Sequence, residues 1–375
     1  PFMLMAEISR LASCALARAR RSIIGPMSVR PPLTSSSIGR LASRSGSLTH
    51  VPLPSGYDEP EILRYENLKS VPKVLTSDTL LTPRGALTVA EPGDLDCLSE
   101  ILEMSQEQAA IHRLTPEQTL ERAPILRPER VGAAAYEPGV TDIDVASLHQ
   151  GYLRGLKHRG GVVIVAHRVG GMNHGPEGWS VRVGANTLRA RTVINAAGAW
   201  ADKIGTPAGA APIGLVAKRR TGIIVDVPQG IQIGEMPSID FCGTNAYIKP
   251  EAGKLMASPG DQTPIEPQDV RPDEMDMAIL VDWLERETFI SVRRIAHSWA
   301  GLRSFVPDEN PVVGFDPELP GLFWLAAQGG YGIMMAPALA CATASLATGN
   351  ELPRDLIENG VTSFNLSPDR LTKED

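Results

Sequence analysis

The run Gly321–Pro337, GLFWLAAQGGYGIMMAP, constrains the fold more than any other part of this 375-residue chain. Leu322 to Ala327 is an apolar stretch of strand length, and Gln328-Gly329-Gly330 is a turn. The residues beyond it read as a helix lasting to Gly349. A strand feeding a helix through a glycine pair belongs to an architecture in which helices pack on a sheet. The helix N-terminus also presents unpaired N–H groups and the positive end of its dipole. Such an end can hold an anion, or a ring carbonyl that gains negative charge. Many glycine pairs are turns and nothing more, so the residues alone leave both readings open.

A second junction has the same grammar. Val193-Ile194-Asn195 is a β-branched strand end, followed by the small residues Ala196 to Ala199 and a helix predicted from near Trp200. Small residues let a ligand or another chain approach the backbone closely, and ligands of α/β sheets bind at the carboxyl ends of strands. A tight turn packed against its own core satisfies the same spacing.

Other segments fill in the class. Leu80 to Ala90 reads as a turn leading into a strand, and Asp94 to Ala110 and Glu117 to Arg122 have helical spacing. Val145, Leu148, Tyr152 and Leu156 fall on one helix face, after the capping residues Thr141 to Asp144 and before Gly160-Gly161. Val162 to Ala166 is predicted as a short buried strand. Trp179 to Val183 and Leu188 to Ile194 read as a hairpin around Gly184-Ala185-Asn186. Helices interleaved with buried and alternating strands give an α/β or α+β fold with mixed sheets.

Composition excludes several functions. A formal net charge of −7 leaves no overall basic footprint for nucleic acid. Cys14, Cys97, Cys242 and Cys341 form no CxxC pair and no zinc spacing, so no metal is expected; they read as free thiols of a reducing, cytoplasmic setting. The apolar run Ile333 to Thr348 is too short to span a bilayer and contains Pro337. Residues 1–57 differ from the rest, with seven Arg, no Lys and Glu7 as their one acid. This head reads as an organelle transit peptide, a disordered tail, or sequence foreign to the fold.

Several stretches, taken in order, resemble a known family: DIDVASLHQGYLRG, NAAGAWAD, AKRRTGII, AYIKPEAG, SWAGLRSFVPDENPVVG and AAQGGYGI. They resemble the FAD-dependent glycine/D-amino-acid oxidase-like (DAO) flavoproteins over roughly residues 75 to 370, and among these the bacterial catabolic D-arginine dehydrogenases. The resemblance implies a Rossmann-like FAD-binding domain from discontinuous segments, here 142–200 and 297–350. A substrate domain with a mixed or antiparallel sheet would come from 75–135 and 210–295. It implies oxidative deamination of a D-amino acid to a 2-oxo acid, by hydride transfer from Cα to flavin N5. The electrons then pass to an acceptor that no motif identifies. Oxidation of a secondary amine, or a remnant that binds no FAD, are the alternatives.

Site residues follow from the same resemblance. Gly329, Gly330, Tyr331, Gly332 and Ile333 match the glycine turn against the flavin ring, Ala197 and Gly198 a backbone contact to the nucleotide, and Val169 a contact to adenine. Arg220, Tyr247 and Arg303 match the group that holds the substrate carboxylate, with Gly330 beside it. Two guanidiniums and a phenol orient a carboxylate better than lysines would. The stretch Gly301 to Val306 holds no cysteine, so the FAD is expected to be noncovalent.

Two departures stand out. No GxGxxG occurs in the chain, so the N-terminal βαβ unit that cradles the FAD pyrophosphate is expected to be lost. Where D-arginine dehydrogenases carry a glutamate toward the substrate guanidinium, this sequence has Ala86. That favours an uncharged D-amino acid, unless Glu91 or another acid reaches in.

Overall fold

A computed structural model describes residues 37–39, 80–103 and 111–371. The expectations for the head 1–57 lie outside the described residues, apart from Ser37–Gly39.

An eight-stranded sheet dominates. Its order is Ile295–Phe305, Val216–Val225, Lys254–Ser258, Tyr247–Glu251, Ser238–Phe241, Ala86–Ala90, Ala133–Glu137 and His112–Leu114. Neighbours run antiparallel except Ser238–Phe241 and Ala86–Ala90, which are parallel. The long strand Ile295–Phe305 is paired along its length with Val216–Val225, although the sequence placed residues 297–350 with the cofactor side.

The period of two decides the two faces of this sheet. Leu87, Val89, Ile223, Val225, Ile239, Phe241, Ile248 and Leu255 point one way into a dry core. The helix Glu274–Glu287 covers that face with Leu280, Trp283 and Leu284. Asp273 caps this helix by accepting from the backbone N–H groups of Met275 and Asp276, a contact worth about 1 kcal/mol. The alternate residues, Asp240, Tyr247, Arg220 and Arg303 among them, emerge on the opposite face.

A second, smaller sheet carries both junctions. Val193–Ala196 and Leu322–Ala326 lie parallel, flanked antiparallel by Ser37–Gly39 and Val312–Phe315. Phe323 and Val313 pack under the helix Gly332–Ala347 through Leu339 and Ala342. On the other side Trp324, Leu322 and Val193 meet Trp179 and Val181 of a three-stranded meander, Val169–Gly175, Gly178–Val183 and Asn186–Ala190. The buried Trp324 indole donates to Asp316 at 2.9 Å, so its polar atom is satisfied where it is most enclosed. The mixed α/β architecture with discontinuous sheets is the one the sequence implies.

Two expectations need correction. Val162 to Ala166 is not a strand: the segment pairs with no strand among the described residues, Ala166 sits at φ +58°, and Val165 is 58% exposed. Its composition suits a buried strand, but a strand also needs a neighbour to bond. The cysteines are not all free thiols either. Cys97 and Cys242 form a disulfide across 145 residues, their Cα atoms 6.1 Å apart, while Cys341 forms no disulfide.

Candidate active site

The two strand–turn–helix junctions sit side by side. Asn195 is the register partner of Trp324 in the parallel pair, so both strands end at the same edge. From one, the chain turns through Ala197 and Gly198 (φ +56°) into a short helical segment. The buried Asn195 side chain ties this turn down, donating to Ala201 O at 2.9 Å and accepting from Ala197 N. From the other, Ala327 (φ +58°) and Gly329 (φ +57°) fold the backbone back on itself before Gly332 starts the long helix. A left-handed alanine costs roughly 1 kcal/mol or more, and strain of this kind gathers where a turn serves a ligand.

Two glycines of this turn lie hard against the neighbouring strand. A Cβ on Gly329 would stand 2.9 Å from the Phe305 ring, and one on Gly330 would stand 2.7 Å from Arg303 Nη1. The turn therefore lies directly on the end of the strand Ile295–Phe305. Gly329 N donates to Ser304 O at 2.9 Å and fixes that contact.

Arg220, Tyr247 and Arg303 come from three strands and meet on the free face of the large sheet. Arg220 is the register partner of Gly301 on the neighbouring strand. Burial, and then repulsion from Arg303, pull the Arg220 guanidinium down to about 10. Its Nε is buried without a hydrogen-bond partner. Two guanidiniums held together at a buried surface are tolerated when an anion is meant to sit between them. Burial pushes the Tyr247 phenol up, against the pull of Arg303 and Arg220. The phenol thus stays protonated at neutral pH and can donate to that anion.

These residues line two spaces and are common to both. A cavity of about 520 Å³ is lined by Arg220, Tyr247 and Arg303 together with Gly329, Gly330, Gly332 and Ile333; its remaining walls include Trp299, Met256, Leu325 and Ala336. A recess of about 70 Å³ opens beyond the clamp, with Tyr331, Asp240, Thr244 and Asn245 in its wall. Val169, Ala197 and Gly198 line neither space. The turn at Ala197 and Gly198 is instead held beside the glycine turn by the parallel strands, and Val169 begins the meander behind them. Trp299, Met256, Phe305 and Asp240 were not signalled by sequence; their place on the cavity face follows from sheet register.

The larger cavity fits the ring end of FAD. It is wide, mostly apolar, and floored by a glycine turn whose helix start offers unpaired N–H groups. Pro337 removes one further intrahelical bond, leaving the Ile333 carbonyl without its usual donor.

The profile of the DAO family, described as FAD dependent oxidoreductase, matches residues 43–346. The chain belongs to this FAD-dependent oxidoreductase family. Its cofactor is FAD. Glycine oxidase of Geobacillus kaustophilus is 24% identical over 266 residues, covering 69% of this chain and 65% of that protein. Mitochondrial sarcosine dehydrogenase of Mus musculus is 26% identical over 229 residues, or 56% of this chain. The chain spans 24% of that dehydrogenase and 65% of the oxidase. Among solved structures, glycine oxidase from Geobacillus kaustophilus superposes with TM-score 0.64 at 22% identity, covering 80% of this chain and 79% of that one. Iminodiacetate oxidase from Chelativorans sp. BNC1 gives 0.65 at 19%, covering 80% of each. Both likenesses show the DAO fold. The resemblance to D-arginine dehydrogenases rests on the motifs alone.

Proposed function

We propose that this FAD-dependent amine oxidoreductase converts a D-amino acid to its imino acid, which water hydrolyses to a 2-oxo acid and ammonia. The observation that carries the reading is the convergence of Arg220, Tyr247 and Arg303 on a cavity also lined by Gly329, Gly330, Gly332 and Ile333. Two guanidiniums and a protonated phenol grip a carboxylate and fix the attached Cα in one place. The apolar walls at Trp299, Met256 and Leu325 keep water from the reacting carbon. FAD, when bound, supplies the two-electron acceptor for the hydride that leaves Cα. The α-ammonium loses a proton before hydride leaves Cα, and solvent takes it. No cysteine lies in Gly301–Val306, which supports noncovalent attachment.

A secondary amine, such as an N-methyl amino acid, is the second reading, favoured by the likeness to proteins named sarcosine and dimethylglycine dehydrogenase. A panel of D-amino acids, glycine and N-methyl amino acids, assayed with the FAD-loaded protein and an artificial electron acceptor, separates the two. The expected outcome is faster turnover of a D-amino acid with release of ammonia. Release of methylamine from an N-methyl substrate as the faster reaction overturns the first reading.

A further inference from the structure

The recess beyond the clamp contains a carboxylate that the proposed chemistry does not use. Asp240 stands on the strand Ser238–Phe241, register partner of Tyr247 on one side and Thr88 on the other. Directly opposed residues of paired strands project to the same face. Asp240 is therefore the lateral neighbour of the carboxylate-binding phenol. It shares the recess wall with Arg220, Arg303 and Tyr247, all of which also border the larger cavity.

Asp240 Oδ1 is buried and has no hydrogen-bond partner. Nearby carboxylates are committed elsewhere. Asp261 accepts from Thr221 N and Oγ1 and is the carboxylate whose charge acts on Arg220. Asp142 accepts from Arg84 and Lys249. A buried carboxylate oxygen left without a donor is costly, and a substrate cation entering the recess would satisfy it.

The structure also reassigns the side-chain pocket expected from sequence. Ala86 is fully buried in the sheet and lines neither space, and Glu91 is taken by Arg130 at 2.5 Å. The acid that reaches in is Asp240.

We infer that Asp240 is a specificity-determining residue that receives a second cationic group of the substrate, an ω-ammonium or guanidinium, while Arg220, Tyr247 and Arg303 hold its carboxylate. The inference rests on the reading of the clamp as a carboxylate site. The α-amine is the wrong partner for Asp240. A carboxylate beside it would hold its proton, and that proton must leave before hydride does. A distal cation keeps its proton throughout, so its pairing with Asp240 costs the reaction nothing. Thr244, Asn245 and Gln262 add polar side chains to the same wall. The substrate class is thus an amino acid with a basic side chain, in place of the uncharged one that Ala86 suggested.

Two measurements test this. In the first, kcat/KM of the FAD-loaded protein is compared for D-ornithine against D-norleucine and for D-2,4-diaminobutyrate against D-norvaline, pairs that differ by an ammonium in place of a methyl group. The cationic member of at least one pair should be preferred by about tenfold or more, and Asp240→Asn should bring that ratio to within about twofold. In the second, 5-aminopentanoate and pentanoate are titrated calorimetrically. Neither has an α-amine, so binding is read without turnover. The amino compound should bind about tenfold tighter to the wild type, and the advantage should vanish in Asp240→Asn. Equal binding of both compounds to the wild type overturns the inference, even if the variant does not fold. Oxidation of the neutral D-amino acids at the rate of the cationic ones, unchanged in the variant, overturns it while leaving the D-amino-acid reading intact. Calorimetric discrimination without oxidation of any D-amino acid sinks that reading and leaves Asp240 standing.

Discussion

Gly330→Ala is the substitution whose consequence the structure fixes most closely. Gly330 does not sit at positive φ, so alanine meets no backbone penalty there. Its Cβ would stand 2.7 Å from Arg303 Nη1, whereas ordinary contact begins at 3.4 Å, so the guanidinium must retreat by at least 0.7 Å. Arg303 ends a flexible side chain and can move without disturbing the sheet. What it loses is its aim at the carboxylate. Misplacing a positioning group by about 1 Å costs about 10²-fold in rate, so kcat/KM should fall between about tenfold and 10²-fold, or ~1.4 to ~2.7 kcal/mol. Flavin content and unfolding midpoint should hold. Gly329→Ala should do the reverse, because φ +57° and the Phe305 ring at 2.9 Å penalise the fold itself; a loss of about 3 kcal/mol in stability is expected. The assay is turnover of a D-amino acid series with an artificial acceptor, beside thermal unfolding of the same preparations. Wild-type kcat/KM in Gly330→Ala, or equal destabilisation by both substitutions, refutes the placement of Arg303 against this turn.

Two further outcomes follow from the structure. Arg220 is held down to about 10 by burial and by Arg303. An unreactive carboxylate ligand should therefore bind with constant affinity through neutral pH and weaken as pH rises through about 10, where the guanidinium gives up its proton; a Kd flat to about pH 11 contradicts this. Cys97→Ser opens a link between residues 145 positions apart and should lower unfolding free energy by about 2–4 kcal/mol, measured by denaturant titration, with no loss in the wild type under reductant counting against the disulfide.

What could be read from the sequence was local. The glycine turn after Leu322–Ala326 and the helix capped by Asp144, which accepts from Ser147 N, are written in consecutive residues. The clamp is not local. Arg220, Tyr247 and Arg303 are brought together by the register of Val216–Val225, Tyr247–Glu251 and Ile295–Phe305 within one sheet, and only family resemblance pointed to them. Asp240 escaped notice because its facing depends on a parallel pairing with Ala86–Ala90, some 150 residues away. The Cys97–Cys242 bond depends on the same kind of distant approach. Val162–Ala166 failed in the opposite sense: strand composition is local, whereas the partner a strand requires is not.

The clamp is decided by one experiment. The FAD-loaded wild type and Arg303→Ala are each mixed with a D-amino acid substrate in the absence of oxygen, and the visible flavin band is followed. Bleaching in the wild type and a loss on the order of 2–5 kcal/mol in the substrate-dependent rate for Arg303→Ala, at equal flavin content, are the expected result. Equal bleaching rates in the two proteins would show that Arg303 does not hold the substrate, and the arrangement of Arg220, Tyr247 and Arg303 would need another explanation.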